Sequence, residues 1–238
     1  MGCGCVGPSK DKYSIENILG DKLNEPKNIN STFPLTEYVK KVFCLINRIR
    51  TNPTEFITVI EAAERYIKEI NGRKIFDDNK IKVSLNEGKK MFQDCVNYLK
   101  TVAPMEELNF CDDIILECPT NEVNIKDINF FKEKLLEKKD KFGIEAYFKD
   151  SIRIPEISVL LMLVDDSIKN PRKKRETILN PNYKFIGISS SDINRNSADK
   201  NDNENKLNEN ENNKENINLE NRLKNDSNKP FCAYFTFK

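Results

Sequence analysis

A cationic run, Arg172–Arg175, follows shortly after two adjacent carboxylates, Asp165–Asp166. Exposed cations of this kind can bind the headgroups of an anionic membrane, where each Lys or Arg adds about 1 kcal/mol of attraction. Arg172, Lys173 and Lys174 are the candidates for such a membrane contact. The same side chains can instead pair with carboxylates inside a folded site, or lie in a solvated loop. The run by itself leaves all three interpretations open.

The sequence contains no histidine. Ser-His-Asp triads, Cys-His dyads and zinc sites with histidine ligands are therefore excluded. We expect a protein that is not an enzyme and that holds no metal or cofactor. The enzymatic alternative is a hydrolase that uses carboxylates such as Glu145 or Asp165.

The seven cysteines form no paired CxxC pattern, and their number is odd. This usage predicts reduced thiols in a cytosolic protein. Cys44, Cys95 and Cys111 stand among apolar residues and are expected to be small core side chains. Two acidic pairs, Asp112–Asp113 and Asp165–Asp166, fit helix capping or solvent exposure better than a cation site, because adjacent carboxylates diverge on a helix.

The chain begins MGCGC, which is a candidate lipidation signal. Removal of Met1 would leave Gly2 as an acceptor for N-myristoylation, and Cys3 and Cys5 could then be palmitoylated. A single myristoyl chain binds membranes only marginally, so a second acyl chain is needed for stable attachment. Val6 stands where the motif prefers Ser or Thr, and an unmodified start is the alternative. The lipidation hypothesis places the protein at the cytosolic face of a membrane, as a peripheral protein.

The composition indicates one folded domain with polar extensions. The chain has 238 residues, of which 38% are hydrophobic and 32% charged, and its formal net charge is +1. The near-zero charge gives no general attraction to nucleic acid, so no nucleic-acid partner is expected. We predict a flexible tether over residues 1–34 and a domain over 35–238. Within that domain, 189–229 is predicted to be a disordered insert rich in Asn, Asp, Glu and Lys.

Apolar spacing predicts three helices in the first half of the domain. The first begins at Thr36 and carries an apolar stripe. The second begins at Asn52-Pro53 with Glu55 as the capping residue, and runs to Gly72. The third begins at Ser84, with Glu87 completing a capping box.

The second half of the domain is less regular. LNFCDDIILECP predicts one more helix, and Val123–Gly143 is either an amphipathic helix or a loosely packed excursion. Ser158–Asp166 is apolar and could be a buried helix or a strand. Tyr183–Ile188 and Phe231–Phe237 are predicted strands, and the insert is expected to loop out between them as paired strands of one sheet.

Four fragments in order resemble the CAP superfamily, which is the domain of cysteine-rich secretory, antigen 5 and pathogenesis-related proteins. They are VFCLINRIRTNPTEF, SLNEGKKMFQDCVNYLKTVAPMEEL, LLMLVDDSIKNPRKKRETILNPNYKFIGI and FCAYFTF. The first carries an Asn-x-x-Arg element followed by Asn-Pro and an aromatic residue. The resemblance covers most of residues 36–237 outside the insert and implies an α+β fold, a three-layer α-β-α sandwich around a small antiparallel sheet.

The resemblance also implies a cavity that holds two histidines and two acidic residues in many members. Here Lys174 stands at one histidine position, and Asn121 lies near the other. Glu145 matches one acidic position, and Asp165 or Asp166 could supply the other carboxylate. Arg175 belongs to the surrounding scaffold, hydrogen-bonded to a loop. This set is a degenerate cavity in which an ion pair replaces the metal.

The expected function is therefore that of a non-catalytic domain that binds a lipid, a sterol or a protein partner at a membrane. Lipid or sterol binding is what the resemblance implies, because members of the superfamily often bind such ligands. The alternative from another class is an adaptor that recruits partners through the Asn-rich insert.

Overall fold

The computed structural model describes Ile29 and residues 31–33, 35–78, 80–119, 128–191 and 231–238. Within these residues the chain has a mixed α+β architecture, as the sequence predicts. Its α-helices are α1 (Glu37–Thr51), α2 (Glu55–Ala63), α3 (Lys89–Leu99), α4 (Ile128–Phe142), α5 (Pro155–Val164) and α6 (Lys173–Ile178). Short 3-10 helices cover Glu64–Tyr66 and Asp112–Ile114.

The strands form two small sheets. They are β1 (Ile67–Ile70), β2 (Arg73–Asp77), β3 (Lys82–Leu85), β4 (Asn109–Phe110), β5 (Ala146–Asp150), β6 (Phe185–Ser190) and β7 (Ala233–Phe237). The first three make an antiparallel sheet, and the others make a four-stranded sheet in the order β4-β6-β7-β5. In the second sheet only the β4–β6 pair is parallel.

Helix α1 begins as predicted. Thr36 is its N-cap, and the Thr36 hydroxyl accepts a hydrogen bond from the Val39 N–H at 3.2 Å. Its apolar stripe is buried and packs against α5 and β6. The cap and the stripe are both local signals, which is why the sequence locates this helix correctly.

The two closing strands pair as the sequence predicts. β6 and β7 are antiparallel, with Ile186 opposite Phe237 and Ser190 opposite Ala233. One boundary differs, because β6 continues to Ser190 and the predicted insert begins at Ser189. Ser189 and Ser190 are buried in the sheet, so the insert starts later than predicted. Residues 192–230 lie outside the described residues.

Side chains of β7 alternate between two apolar clusters. Phe235 and Phe237 belong to the main core with α1, α3 and α5, whereas Cys232 and Tyr234 pack with Phe131 of α4 in a smaller cluster. Alternation follows from the two-residue period of a strand. Apolar clusters therefore cover both faces of the four-stranded sheet.

Three of the predicted helix boundaries are wrong. Helix α2 ends at Ala63, and the chain continues as a hairpin in which β1 pairs with β2. Asn71 and Gly72 form its turn with φ of 52° and 72°, values that suit a two-residue Asn-Gly turn. The third helix begins at Lys89, because Ser84 belongs to β3 and pairs with Ile75. Helix α2 itself begins at Glu55 with Thr54 at its N-cap, two residues later than predicted.

The segment after Pro104 is not the predicted helix. It forms β4 and a 3-10 turn, then an extended stretch to Pro119. The backbone there is held by residues distant in sequence: Thr236 donates its hydroxyl to the Ile114 carbonyl at 2.7 Å. Of the two segments that the sequence left open, Val123–Gly143 contains helix α4, and Ser158–Asp166 contains most of helix α5, which begins at Pro155.

A buried arginine joins three parts of the domain. Arg50 of α1 is fully buried, and its guanidinium donates to the carbonyls of Glu106, Ile178, Asn180 and Tyr183 at 2.7–3.2 Å. Burial lowers its pKa to about 10, which keeps the side chain cationic at neutral pH. The five donors of a planar guanidinium suit four carbonyl acceptors, which an ammonium group cannot reproduce.

Asn47, one turn earlier on α1, holds a neighbouring segment. Its amide nitrogen donates to the Leu108 carbonyl at 3.0 Å, and its amide oxygen accepts from the Leu108 N–H at 2.8 Å. The Asn-x-x-Arg element therefore fixes the chain that leads into β4 and the chain that leads into β6.

We predict that Arg50→Lys lowers the free energy of unfolding by about 3 kcal/mol, because buried carbonyls lose their donors. Urea unfolding followed by circular dichroism measures the change. The matched control is Arg65→Lys, at an exposed arginine, which should alter stability by less than about 0.5 kcal/mol. Equal effects of the two substitutions would contradict the role assigned to Arg50.

Candidate functional site: a charged cluster at the C-terminal end of α5

The adjacent carboxylates Asp165 and Asp166 hold two different segments. Asp165 ends α5 with a left-handed φ of 45°, and its carboxylate accepts from the Lys174 N–H at 2.7 Å. Asp166 accepts from the N–H groups of Asn86, Glu87 and Gly88 at 2.8–3.0 Å. Both carboxylates thus satisfy backbone donors where α6 and α3 begin. The helix-capping interpretation of this pair is confirmed.

Burial acts on Asp165 more strongly than its hydrogen bonds do. The side chain is buried, and desolvation raises the pKa of its carboxyl, although the Lys174 N–H and the nearby cations oppose the shift. A carboxyl with a raised pKa in the folded state favours folding when it is protonated. Asp165 therefore costs stability as pH rises through its folded pKa.

The two arginines of the cationic run converge on one carboxylate of α3. Arg172 donates to both oxygens of Asp94 at 2.8 and 3.0 Å, and Arg175 donates to Asp94 Oδ2 at 2.5 Å. Desolvation alone would raise the pKa of Asp94, but these hydrogen bonds and charges outweigh it and hold the pKa below its ordinary value of 3.8. The contact of Arg175 is with a helix, where a loop was expected.

Arg175 is almost entirely enclosed, with 1% of its surface exposed. Its guanidinium lies 4.9 Å from the centre of the Tyr98 ring, in a cation–π arrangement. Burial would lower the pKa of Arg175, but Asp94 and the neighbouring Cys95 outweigh it and raise the pKa. Within the described residues, Nε and Nη1 have no hydrogen-bond partner. Asp94 is therefore the group that compensates this buried cation.

Lys174 meets a different carboxylate from those that the sequence suggested. Its Nζ lies 3.8 Å from Asp150 Oδ1 and 5.6 Å from the centre of the Phe148 ring. Asp150 is buried and also accepts the Ser158 hydroxyl at 2.6 Å. Tyr38 in turn lies 2.9 Å from Ser158 and donates to it, since the Ser158 proton points to Asp150. A chain of polar groups thus connects α1, α5, β5 and α6.

The structure brings together three of the five residues that the sequence assigned to the cavity. Asp165, Lys174 and Arg175 form the cluster. Glu145 is exposed and precedes β5, whereas Asp150 is the last residue of that strand. Five residues of extended chain span about 16 Å, so Glu145 lies away from Lys174. Asn121 lies outside the described residues, as do the lipidation candidates Gly2, Cys3 and Cys5.

Sequence reasoning missed Asp94 and Asp150, which supply the carboxylates of the cluster. Asp150 stands in the same sequence fragment as Glu145. Glu145 precedes β5 and Asp150 ends it, so the two carboxylates lie at opposite ends of the strand. Asp94 sits in the middle of α3 without any motif. Cys95 and Tyr98 of the same helix also contact Arg175. These contacts arise from the folding of α3 against α6, so the sequence alone gives no signal for Asp94.

Few reactions are available to this cluster, because its carboxylates and its serine hydroxyl already form hydrogen bonds within the protein. Each of its carboxylates accepts hydrogen bonds from a cation, a hydroxyl or a backbone N–H. Ser158 is fully buried and already donates to Asp150, so it presents no free nucleophile to solvent. In the ranges that the structure describes, no group of three or more His, Cys, Asp or Glu side chains is arranged to hold a metal ion.

Three of the described thiols lie in environments that disfavour the thiolate. Desolvation raises the pKa of Cys44 and of Cys95 to about 11, and it also raises the pKa of Cys118. Cys95 donates to the Leu163 carbonyl at 3.3 Å. Because the thiolate is the reactive form, a raised pKa makes these thiols unreactive at neutral pH. Cys95 is a buried core side chain as predicted, whereas Cys44 and Cys111 are only partly buried.

We predict that Asp94→Asn lowers the free energy of unfolding by about 2 kcal/mol at neutral pH, since it leaves Arg175 buried without its anion. The depressed pKa of Asp94 means that its contribution is present above pH 3.8 and is lost as pH falls through the folded pKa. The difference between wild type and variant should therefore shrink below about pH 4.

Urea unfolding at several pH values measures both effects. The control is Asp140→Asn, at an exposed carboxylate on α4, which should be nearly neutral for stability. A stability difference for Asp94→Asn that does not change with pH would show that the lost interaction is not electrostatic.

Comparisons with known proteins add no relative. No protein-family model, curated protein or solved structure matches the chain. Among the described helices none has the length and apolar character needed to cross a membrane. The resemblance to the CAP superfamily consequently rests on the motifs in the sequence alone and is a hypothesis.

Proposed function

We propose that this chain is a non-catalytic, CAP-like domain that N-terminal acylation holds at the cytosolic face of a membrane, where it binds lipid, sterol or a protein partner. The observation that carries this proposal is the internal pairing of the charged cluster. Lys174 occupies the position of a metal-binding histidine in the motif, and its side chain faces Asp150. A fixed ammonium ion has no lone pair at neutral pH and cannot ligate a metal.

The layering of the domain supports the CAP-like part of the proposal. Apolar clusters lie on both faces of the four-stranded sheet, with α4 on one side and α1 and α5 on the other. This arrangement is what a three-layer α-β-α sandwich requires. The Asn-x-x-Arg element also performs a scaffold role here, through Asn47 and Arg50.

The base of the tether is fastened to the domain. Asp112 accepts from the Ser31 hydroxyl at 2.5 Å and from the N–H and hydroxyl of Thr32 at 2.7 and 2.9 Å. These bonds hold the pKa of Asp112 below its ordinary value, although partial burial opposes the shift. The acyl anchor would therefore connect to the folded part beside β4.

We predict that Gly2→Ala moves the protein from the membrane fraction to the soluble fraction of cells, because Gly2 is the acceptor for myristate. Fractionation followed by immunoblotting measures the distribution, and intact mass of the native protein reports the acyl groups directly. Cys3→Ser with Cys5→Ser should give partial release, since one acyl chain binds only marginally. The matched control is Gly4→Ala, which leaves both kinds of acceptor in place. Membrane partitioning of Gly2→Ala equal to that of wild type would remove the acyl anchor from the proposal.

A second candidate function is that of an adaptor, and one observation favours it. The chain leaves β6 and re-enters β7 at a single point, where the Ser191 N–H donates to the Cys232 carbonyl at 2.9 Å. Segment 192–230 is therefore attached at both ends to the same end of the central β6–β7 pair, which suits display of a binding sequence.

Deletion of 192–230 distinguishes the two functions. For the proposed function we predict that the deletion leaves lipid binding and membrane partitioning unchanged, because both strands pair without the segment. Vesicle sedimentation and co-precipitation of partners from cell extract are the measurements. Loss of partners with unchanged lipid binding would favour the adaptor.

A further inference from the structure

Ile168 is a solvent-exposed apolar residue on a loop with hydrogen-bonded ends. Its side chain is 82% exposed, the largest exposure recorded for a large apolar residue in the described part of the chain. It lies in the loop Ser167–Pro171, between α5 and α6, directly beside the charged cluster. An isoleucine at this exposure is kept from the core by the path of the backbone on either side.

That path is fixed at both ends by unusual backbone geometry. Asp165 and Arg172 have φ of 45° and 74°, in the left-handed region that residues other than glycine seldom adopt. The Arg172 N–H donates to the Asp165 carbonyl at 3.2 Å, and the Ser167 hydroxyl donates to the Asn170 carbonyl at 2.8 Å. A loop with strained, hydrogen-bonded ends presents its tip in one arrangement, which lowers the entropic cost of binding.

The charge around Ile168 is positive. Lys169 and Lys173 are exposed on the loop and on the first turn of α6. Lys89 is exposed on the first turn of α3, which the bonds of Asp166 to the preceding N–H groups bring next to the loop. In the ranges that the structure describes, these three lysines have no acidic partner within salt-bridge distance.

The acidic groups of the same region do not cancel the positive charge around Ile168. Asp94 is paired with two arginines, and Glu87 is paired with Lys90 at 3.2 Å. The carboxylates of Asp165 and Asp166 point to backbone N–H groups. Glu176 is the remaining exposed carboxylate, one turn along α6 from Lys173.

Another exposed apolar residue provides a contrast. Leu136 of α4 is 68% exposed, but its helical neighbours at three and four residues are Lys132, Glu133, Lys139 and Asp140. These charges balance, as on an ordinary solvated helix face. The balanced charge around Leu136 therefore differs from the cationic surroundings of Ile168.

We propose that the loop Ser167–Pro171 docks on an anionic membrane surface, with Ile168 entering the headgroup region and Lys89, Lys169 and Lys173 contacting anionic lipid. The inference rests on the proposed membrane location and specifies which face of the domain meets the lipid. Charge complementarity identifies the occupant, because a bilayer with anionic headgroups over apolar chains matches a cationic rim around one apolar side chain.

An acyl anchor alone would leave this orientation undetermined. The chain preceding Ile29 has 28 residues, each spanning up to about 3.5 Å when extended. Such a reach permits any face of the domain to approach the bilayer. The loop supplies the second point of contact that orients the domain.

The test uses the full chain with Gly2→Ala, so that no acyl group contributes. Binding to vesicles of phosphatidylcholine, with or without phosphatidylserine, is measured by sedimentation. We expect binding only when phosphatidylserine is present, and weaker binding at higher salt. Ile168→Ser should lower the partition coefficient about tenfold, and Lys169→Gln and Lys173→Gln about fivefold each. Leu136→Ser is the matched control and should leave binding unchanged.

Thermal unfolding of each variant verifies that the fold is retained, as expected for substitutions at exposed positions. Equal binding of Ile168→Ser and Leu136→Ser would overturn the proposal, and so would the absence of binding to phosphatidylserine vesicles. Ile168-dependent capture of a protein without vesicle binding would assign the loop to a protein partner instead. Failure of the acyl anchor would show separately, as an intact mass of the native protein that contains no acyl group.

Discussion

The need to satisfy one buried guanidinium organises this domain. Arg50 is enclosed on α1, and its donors reach carbonyls at residue 106 and across residues 178–183. Those two segments lead into β4 and β6, which then pair in parallel. Each guanidinium nitrogen of Arg50 donates to a carbonyl. Because an unmatched buried donor is costly, the backbone at these acceptors has little freedom. The second sheet and the end of α6 therefore depend on a contact made by the first helix.

The same principle operates at the charged cluster, with carboxylates as the groups to be satisfied. Asp94, Asp150 and Asp165 lie on α3, β5 and the end of α5, and each is matched by donors from other elements. The cluster joins four parts of the chain that are far apart in sequence. The charged groups of the cluster interact with one another and with the backbone. The exposed side chains of the region lie next to the cluster, on the loop that carries Ile168. The interior of the region is thus structural, and its rim is available for contact.

Local patterns in the sequence predict part of this fold. The Thr36 cap and the apolar stripe locate α1, and alternation locates β7, because those signals depend on neighbouring residues only. The sequence does not predict the hairpin after α2, because Ile67 and Ile70 also fit helical spacing. The Asn71-Gly72 pair is nevertheless typical of a hairpin turn. For α3 the Ser84–Glu87 pattern was misleading, since the donors there are capped by Asp166 from another part of the chain. The cluster shows the same limit: Asp165, Lys174 and Arg175 follow from a motif, but Asp94 and Asp150 become partners only through tertiary packing.

The closed end of the β6–β7 pair has a practical consequence. Besides the backbone bond at that point, the Cys232 N–H donates to the Ser191 hydroxyl at 3.1 Å, so the two strands are fastened immediately before the chain departs. Closing a longer connection there costs only about 0.6 kcal/mol for each doubling of its length. This junction is consequently a permissive locus for engineering, where a fluorescent reporter or an affinity module could be grafted between the strands while the domain beneath it keeps its architecture.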